Sequence, residues 1–218
     1  MDRHGLVCRA VLEQPDITQR ELAGKLDVSL GTANGLIKDC LAKGYIGEKS
    51  SQKGKARWRL RAEGQKLLDQ YRVDGALIIA AGFGSRFVPL TFEMPKGLLE
   101  VFGERMIERQ IKQLHEVGIR NITIAVGYLK EKFEYLIDKY GVELLYNPEY
   151  TSKNTLTTIY RARKVLEGRN MYILSSDNWM RENMYHAYEC GPGTARLFRG
   201  ERPRSGAFIS IKREGSPM

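Results

Sequence analysis

Leu77-Ile-Ile-Ala-Ala-Gly-Phe-Gly-Ser-Arg-Phe-Val-Pro-Leu-Thr-Phe-Glu-Met-Pro-Lys96 is the stretch that decides the fold. An unbroken apolar run, Ala76–Ala81, suits a central parallel strand covered on both faces. It leads into a glycine loop, an arginine and, ten residues later, a Pro-Lys pair. Two commoner glycine loops are excluded. The spacing Gly82, Gly84, Phe87 lacks the third glycine of a dinucleotide fingerprint, and no G-K-[ST] follows to make a Walker loop.

Outward from this stretch the pattern alternates strand and helix. A helix is expected at Met106–Val117, a strand at Ile122–Val126, a helix at Lys130–Tyr140 and a strand at Val142–Tyr146. A further helix at about Thr155–Leu166 and a strand at Met171–Ser175 complete the series. Alternation of this length predicts a three-layer α/β/α sandwich with a mostly parallel, Rossmann-like sheet over residues 74–190.

The phosphate chemistry can then be placed. Gly82 and Gly84 let the backbone turn tightly and aim main-chain N–H groups at phosphate oxygens. Arg86 adds a planar fork suited to phosphate. Lys96, stiffened by Pro95, is a point charge able to stabilise negative charge developing on an α-phosphate or on departing pyrophosphate. Asp177 falls just past the end of an apolar strand, where open α/β sheets place ligands, and could hold Mg²⁺. These groups suit in-line transfer to an attacking phosphate, which needs mostly positioning and charge neutralisation.

Ala80–Arg86, Pro89-Leu-Thr91 and Pro95-Lys96 resemble the signature of the sugar-1-phosphate nucleotidyltransferase superfamily. Val126–Phe133, Tyr146–Thr155 with Tyr160, and Leu174-Ser-Ser-Asp-Asn178 resemble its bacterial CTP:phosphocholine cytidylyltransferase branch. The resemblance implies transfer of CMP from CTP to phosphocholine, with Mg²⁺ as cofactor and release of pyrophosphate. It implies Arg86 and Lys96 as triphosphate-binding and catalytic cations, and Asp177 as a Mg²⁺ ligand. Ala81, Gly82, Gly84 and Ser85 would line the nucleotide, and Asn154 and Tyr160 the acceptor. For Asn154, a helix cap is an equal reading. A choline head group would want an aromatic cage, for which Tyr150, Tyr160, Trp179, Tyr185 and Tyr188 are available, although core packing is the blander role of each. A sugar-1-phosphate acceptor is the alternative within the same enzyme class.

Residues 1–73 form a separate zone. A helix is expected at 5–14, with Leu6, Val7, Ala10 and Val11 on one face. Thr18 and Glu21 make a capping box for a second, stapled by Ile17, Leu22 and Leu26. Ser29 caps a third, running to about Lys43 with an apolar stripe of Leu36, Ile37 and Leu41, and Gly44 ends it. A basic hairpin between Tyr45-Ile46 and Arg57–Leu60, then a helix from Ala62 to Tyr71, completes the order of a winged helix. The stretch Ile17–Ala23, Val28–Thr32 and Lys43–Ile46, with Arg61-Ala-Glu-Gly64, resembles MarR-like transcription regulators. That resemblance places Ser29, Thr32, Asn34 and Lys38 in a DNA major groove and Lys49, Lys53, Lys55 and Arg57 on phosphates. The other reading is a docking or dimerisation module, which would make the chain a homodimer.

Residues 191–218 depart from both zones. They are rich in Gly, Pro and Arg, and only Ala207–Lys212 reads as a strand. The transferase resemblance implies a fold that continues well past this point, so the fold here is expected to be C-terminally shortened. The tail is either non-native, following a frameshift near residue 190, or a basic arm for acidic partners. The first case leaves a sheet edge exposed. The net charge of +9 sits at the two ends, residues 74–190 being balanced. The three cysteines show no metal or disulfide spacing, and Cys8 and Cys40 are expected as buried reduced thiols. No apolar run approaches the roughly 20 residues of a membrane span, and the charged N-terminus lacks a signal-peptide core, which points to a cytoplasmic protein without membrane contact. From a different function class comes a DNA-binding regulator that uses a degenerate transferase domain as a ligand sensor.

Overall fold

The computed structural model describes residues 1–49, 57–84, 88–150, 155–189, 194–197 and 207–210. The chain divides into two compact units, Met1–Arg72 and Val73–Met218.

The first unit is built from α1 (Arg3–Glu13), α2 (Gln19–Leu26), α3 (Leu30–Ala42), the strands β1 (Ile46–Lys49) and β2 (Arg57–Leu60), and α4 (Ala62–Asp69). Local chemistry sets each helix end. Asp2 accepts from the Gly5 N–H at 2.7 Å, and Thr18 and Glu21 form the full reciprocal capping box. Ser29 accepts from the Thr32 N–H, and Gly44 leaves α3 with φ of +69°. The helices bury Val7, Cys8, Ala10 and Val11 of α1 against Leu22, Ala33, Ile37 and Cys40. Cys8 and Cys40 are free and buried. The α3 stripe is thus Ala33, Ile37 and Cys40, whereas Leu36 and Leu41 are only half-buried, because the buried line follows the 3.6-residue period from Ala33. The two strands pair antiparallel, Glu48 opposite Trp58, and Trp58 is 2% exposed.

In the second unit, β3 (Gly75–Ala80), β6 (Ile122–Val126), β7 (Glu143–Tyr146) and β8 (Met171–Ser175) run parallel. A small hairpin, β4 (Glu100–Val101) and β5 (Glu104–Arg105), precedes α5 (Met106–Glu116). The sheet order is β10-β9-β8-β3-β6-β7, with β9 (Thr194–Leu197) and β10 (Ala207–Ser210) at one edge. Along β3, successive side chains enter opposite layers. Ile78 joins Ile107, Ile111 and Leu114 of α5 and Leu136 of α6 (Tyr135–Tyr140) on one face. Leu77 joins Ala162 and Leu166 on the other, beside α7 (Thr155–Arg161) and α8 (Arg163–Leu166). Helices on both faces make the three layers expected for this run of elements.

Several local readings are corrected. The segment Lys130–Phe133 is a 3-10 turn, and α-helix begins only at Tyr135. The helix expected at 155–166 breaks at Ala162, whose ψ of +3° leaves the helical range and whose side chain is buried. Residues 194–197 are a strand, parallel to β8, with β10 antiparallel to it, so the β8 edge is paired rather than open. Four residues are too few to show a strand period, and their partner β8 is distant in sequence.

Candidate active site

From β3 the chain goes to β6 and β7 on one side, while β8 pairs on the other, so the topological switch point lies between β3 and β8. Ligands of open α/β sheets bind outside the strand ends at such a point. A cleft of about 330 Å³ occupies it, walled by Ile79, Ala80, Gly82, Gly84, Lys96, Gly97, Thr155, Ser175, Ser176 and Asp177.

Three backbone features shape this cleft. A side chain at Gly82 would meet nothing within 4 Å, leaving its backbone open to a ligand. Gly84 has φ of +69°, and its carbonyl accepts from the buried Thr91 hydroxyl at 3.1 Å, which ties the loop to the segment before Lys96. A Cβ on Gly97 would lie 2.7 Å from the Ser176 Cβ. Only glycine lets the Pro95–Leu98 turn press against the end of β8.

That close approach brings Lys96 to Asp177, 81 residues away in sequence. The ammonium pairs with Asp177 Oδ2, and the Ser175 hydroxyl donates to Oδ1. Burial pushes the Asp177 carboxyl up, but the bonds from Lys96 and Ser175 outweigh it and hold the group below its ordinary value. The carboxylate therefore stays ionised. Among the described residues no cluster of three or more His, Cys, Asp or Glu side chains could hold a metal ion. A single ionised carboxylate lining this glycine-walled cleft suits Mg²⁺, which usually takes one or two carboxylates and completes its shell with substrate phosphates and water.

The remaining expected site residues fall as follows. Ala81 is buried, and its carbonyl accepts from the Tyr128 N–H at 3.3 Å. Tyr160 is 66% exposed, with the Arg163 guanidinium 4.6 Å from its ring centre. Arg86, Ser85, Asn154, Lys53 and Lys55 lie outside the described residues, as do the side chains of Lys49 and Arg57. Each suggested cage ring with a described contact has a different neighbour. Tyr150 lies 6.4 Å from Tyr128, Trp179 lies 5.2 Å from Phe102, and Tyr185 packs in the core 5.4 Å from Tyr172. Ser175 and Ser176 carry no role of their own in the sequence reading, where they appear only within the stretches Met171–Ser175 and Leu174–Asn178, and Gly97 does not appear in it. The only signal for them was adjacency to Asp177 and Lys96.

On the winged unit, Ser29 and Thr32 hydrogen bond each other at 2.9 Å, and Asn34 accepts from Gln19 at 3.4 Å. Lys38 is exposed on α3. Among the described residues no helix is long and apolar enough to cross a membrane.

Both units resemble known protein families. A nucleotidyl transferase family model matches residues 75–190, and a winged helix-turn-helix DNA-binding model matches residues 9–46. Choline-phosphate cytidylyltransferase of Streptococcus pneumoniae is 44% identical over 110 residues, 50% of this chain and 47% of that protein. The 2-aminoethylphosphonate cytidylyltransferase of Lancefieldella rimae is 46% identical over 103 residues, 47% of this chain and 42% of that protein. The solved CTP:phosphocholine cytidylyltransferase from Streptococcus pneumoniae matches with a TM-score of 0.50 at 43% identity, covering 53% of this chain and 50% of that one. The chain spans about half the length of the curated relatives it matches.

Proposed function

We propose that this chain, which belongs to the nucleotidyl transferase family, transfers a cytidylyl group from CTP to phosphocholine. The observation that carries the reading is the Lys96–Asp177 pair at the mouth of a glycine-walled cleft between β3 and β8. An oxygen of the acceptor phosphate attacks the α-phosphorus, the bond to the bridging oxygen of the β-phosphate breaks, and pyrophosphate leaves. The Gly82–Gly84 backbone cradles the phosphates, and Lys96 neutralises charge that grows on the α-phosphate and leaving group. Asp177 would hold Mg²⁺, whose contribution is to screen the triphosphate charge. Lys96 then exchanges its carboxylate partner for phosphate. Arg86 belongs to the same proposal through its place in the family signature.

The named relatives support the base and the acceptor class. Choline phosphate and 2-aminoethylphosphonate both join a phosphorus oxyanion to a nitrogen cation, which favours such an acceptor over a sugar phosphate. Pyrophosphate release measured over a panel of nucleotides and acceptors tests this. CTP with phosphocholine should be the best pair, and Lys96→Ala and Asp177→Asn should each lose at least a hundredfold. Turnover with glucose-1-phosphate but not phosphocholine would overturn the acceptor. CTP binding without turnover for any pair would favour the ligand-sensor reading.

A second activity rests on the winged helix. The DNA-binding family match and the exposed Lys38 on α3 support duplex binding by this unit. Ser29 and Asn34 are partly committed to cap and helix–helix bonds, which favours phosphate contacts over base readout. Both activities fit a cytoplasmic protein. Gel shifts should weaken steeply between 50 and 200 mM salt, and no binding at low salt would sink this reading.

A further inference from the structure

We propose that Gln110, a side chain on α5 that does not itself line the cleft, is a positioning residue for Asp177. The inference rests on the reading of Asp177 as a Mg²⁺ ligand. Gln110 is wholly buried among Ile107, Ile111 and Leu114, a stripe where an apolar residue would pack at lower cost. Its Nε2 donates to the Ser175 carbonyl at 3.0 Å and to the Asn178 carbonyl at 2.7 Å. Those two carbonyls flank Asp177 on either side.

The turn that carries Asp177 is weak by itself. Its own closing bond, from the Asn178 N–H to the Ser175 carbonyl, is stretched to 3.5 Å. The Gln110 amide bridges the same two residues with shorter bonds and so sets the turn from inside the core. Of the two ends of a glutamine amide, only the NH₂ can donate to two carbonyls. The amide is therefore held in one orientation, and its Oε1 is buried with no partner among the described residues. Retaining an orphaned acceptor in the core is costly unless the two donated bonds matter. Neighbouring donors on α5 extend the rack: Arg109 Nε and Gln113 Nε2 both reach the Met180 carbonyl, at 2.6 and 3.1 Å. Lys96 and Ser175 orient the carboxylate itself, whereas Gln110 orients the backbone from which it projects.

The test compares CTP affinity, by calorimetry, in Mg²⁺ and in EDTA, using the full chain. The metal-dependent gain reports the Asp177 site, and the metal-free affinity reports the rest of the cleft. Gln110→Met should cut the gain by roughly tenfold, the usual scale for a residue that supports a metal ligand. Its metal-free affinity should remain within about twofold of the unaltered chain. Ile111→Ala, one residue along α5, should lower the melting temperature but leave the gain intact. An unchanged gain in Gln110→Met, alongside a lost gain in Asp177→Asn, overturns the inference and spares the reading beneath it. A full gain in Asp177→Asn, or no CTP binding by the unaltered chain, overturns both. Should Gln110→Met fail to fold, the side-chain NH₂ of Gln110 in the unaltered chain decides by ¹⁵N NMR. Slow solvent exchange and a shift on adding Mg²⁺ with CTP, but not CTP in EDTA, supports the inference. Rapid exchange, or equal shifts in both conditions, overturns it.

Discussion

Glu108 shows what a single carboxylate contributes to this fold. It sits on α5 with its side chain 9% exposed and accepts from Tyr135 and Tyr140 hydroxyls and the Lys139 ammonium at 2.6–2.7 Å. Burial pushes its carboxyl up, but the bonds from Lys139, Tyr140 and Tyr135 win and hold it down at about 2. The folded state thus binds its proton more weakly than the unfolded chain, so the stabilisation is complete above the ordinary carboxylate range and is lost as pH falls toward 2. Its size is on the order of 2–3 kcal/mol. Glu108→Gln should lower the urea midpoint at pH 7 and flatten the acid dependence between about pH 5 and pH 2. An unchanged slope in that range would move the acid sensitivity to another group. Nothing in the sequence marked Glu108, because the tyrosines and lysine that hold it lie 27 to 32 residues away.

At the scale of elements, the Pro95–Leu98 turn and the end of β8 act together. The two glycines facing them make opposite demands. Gly97→Ala puts a methyl 2.7 Å from the Ser176 Cβ, so the turn must retreat and carry Lys96 away from Asp177. A loss of about 1–3 kcal/mol and of transfer activity is expected, read by thermal melts and pyrophosphate release. Gly82→Ala meets nothing within 4 Å, so its melting temperature should match the unaltered chain while CTP affinity falls. Normal CTP affinity in Gly82→Ala would remove its backbone from the phosphate cradle. The strands with a long apolar run, β3, β6 and β8, were legible in sequence because burial on both faces leaves a plain signature. The β4–β5 hairpin was not, since each strand has two residues and its turn rests on positive φ at Phe102 as well as Gly103.

For the whole molecule, each unit has its own core. Trp58, Ile37, Leu22 and Val11 are buried within Met1–Arg72 and supply the apolar area of an independent domain. A fragment of residues 1–72 should show helical circular dichroism, cooperative melting and a blue-shifted Trp58 emission. A red-shifted, non-cooperative fragment would show that the unit depends on the rest of the chain.

The sequence by itself determined what can be read within about ten residues. The capping box at Thr18, the apolar period of α5, the buried strands and the glycine loop all encode their conformation in local spacing. Tertiary structure alone decided which of these groups meet. The Lys96–Asp177 pair spans 81 residues and the Gln110 clamp 65 and 68. The pairing of β9 against β8 likewise depends on sheet order. The Lys96–Asp177 contact follows from β3 lying beside β8, a pairing that is driven by apolar burial but leaves no periodic trace in either segment.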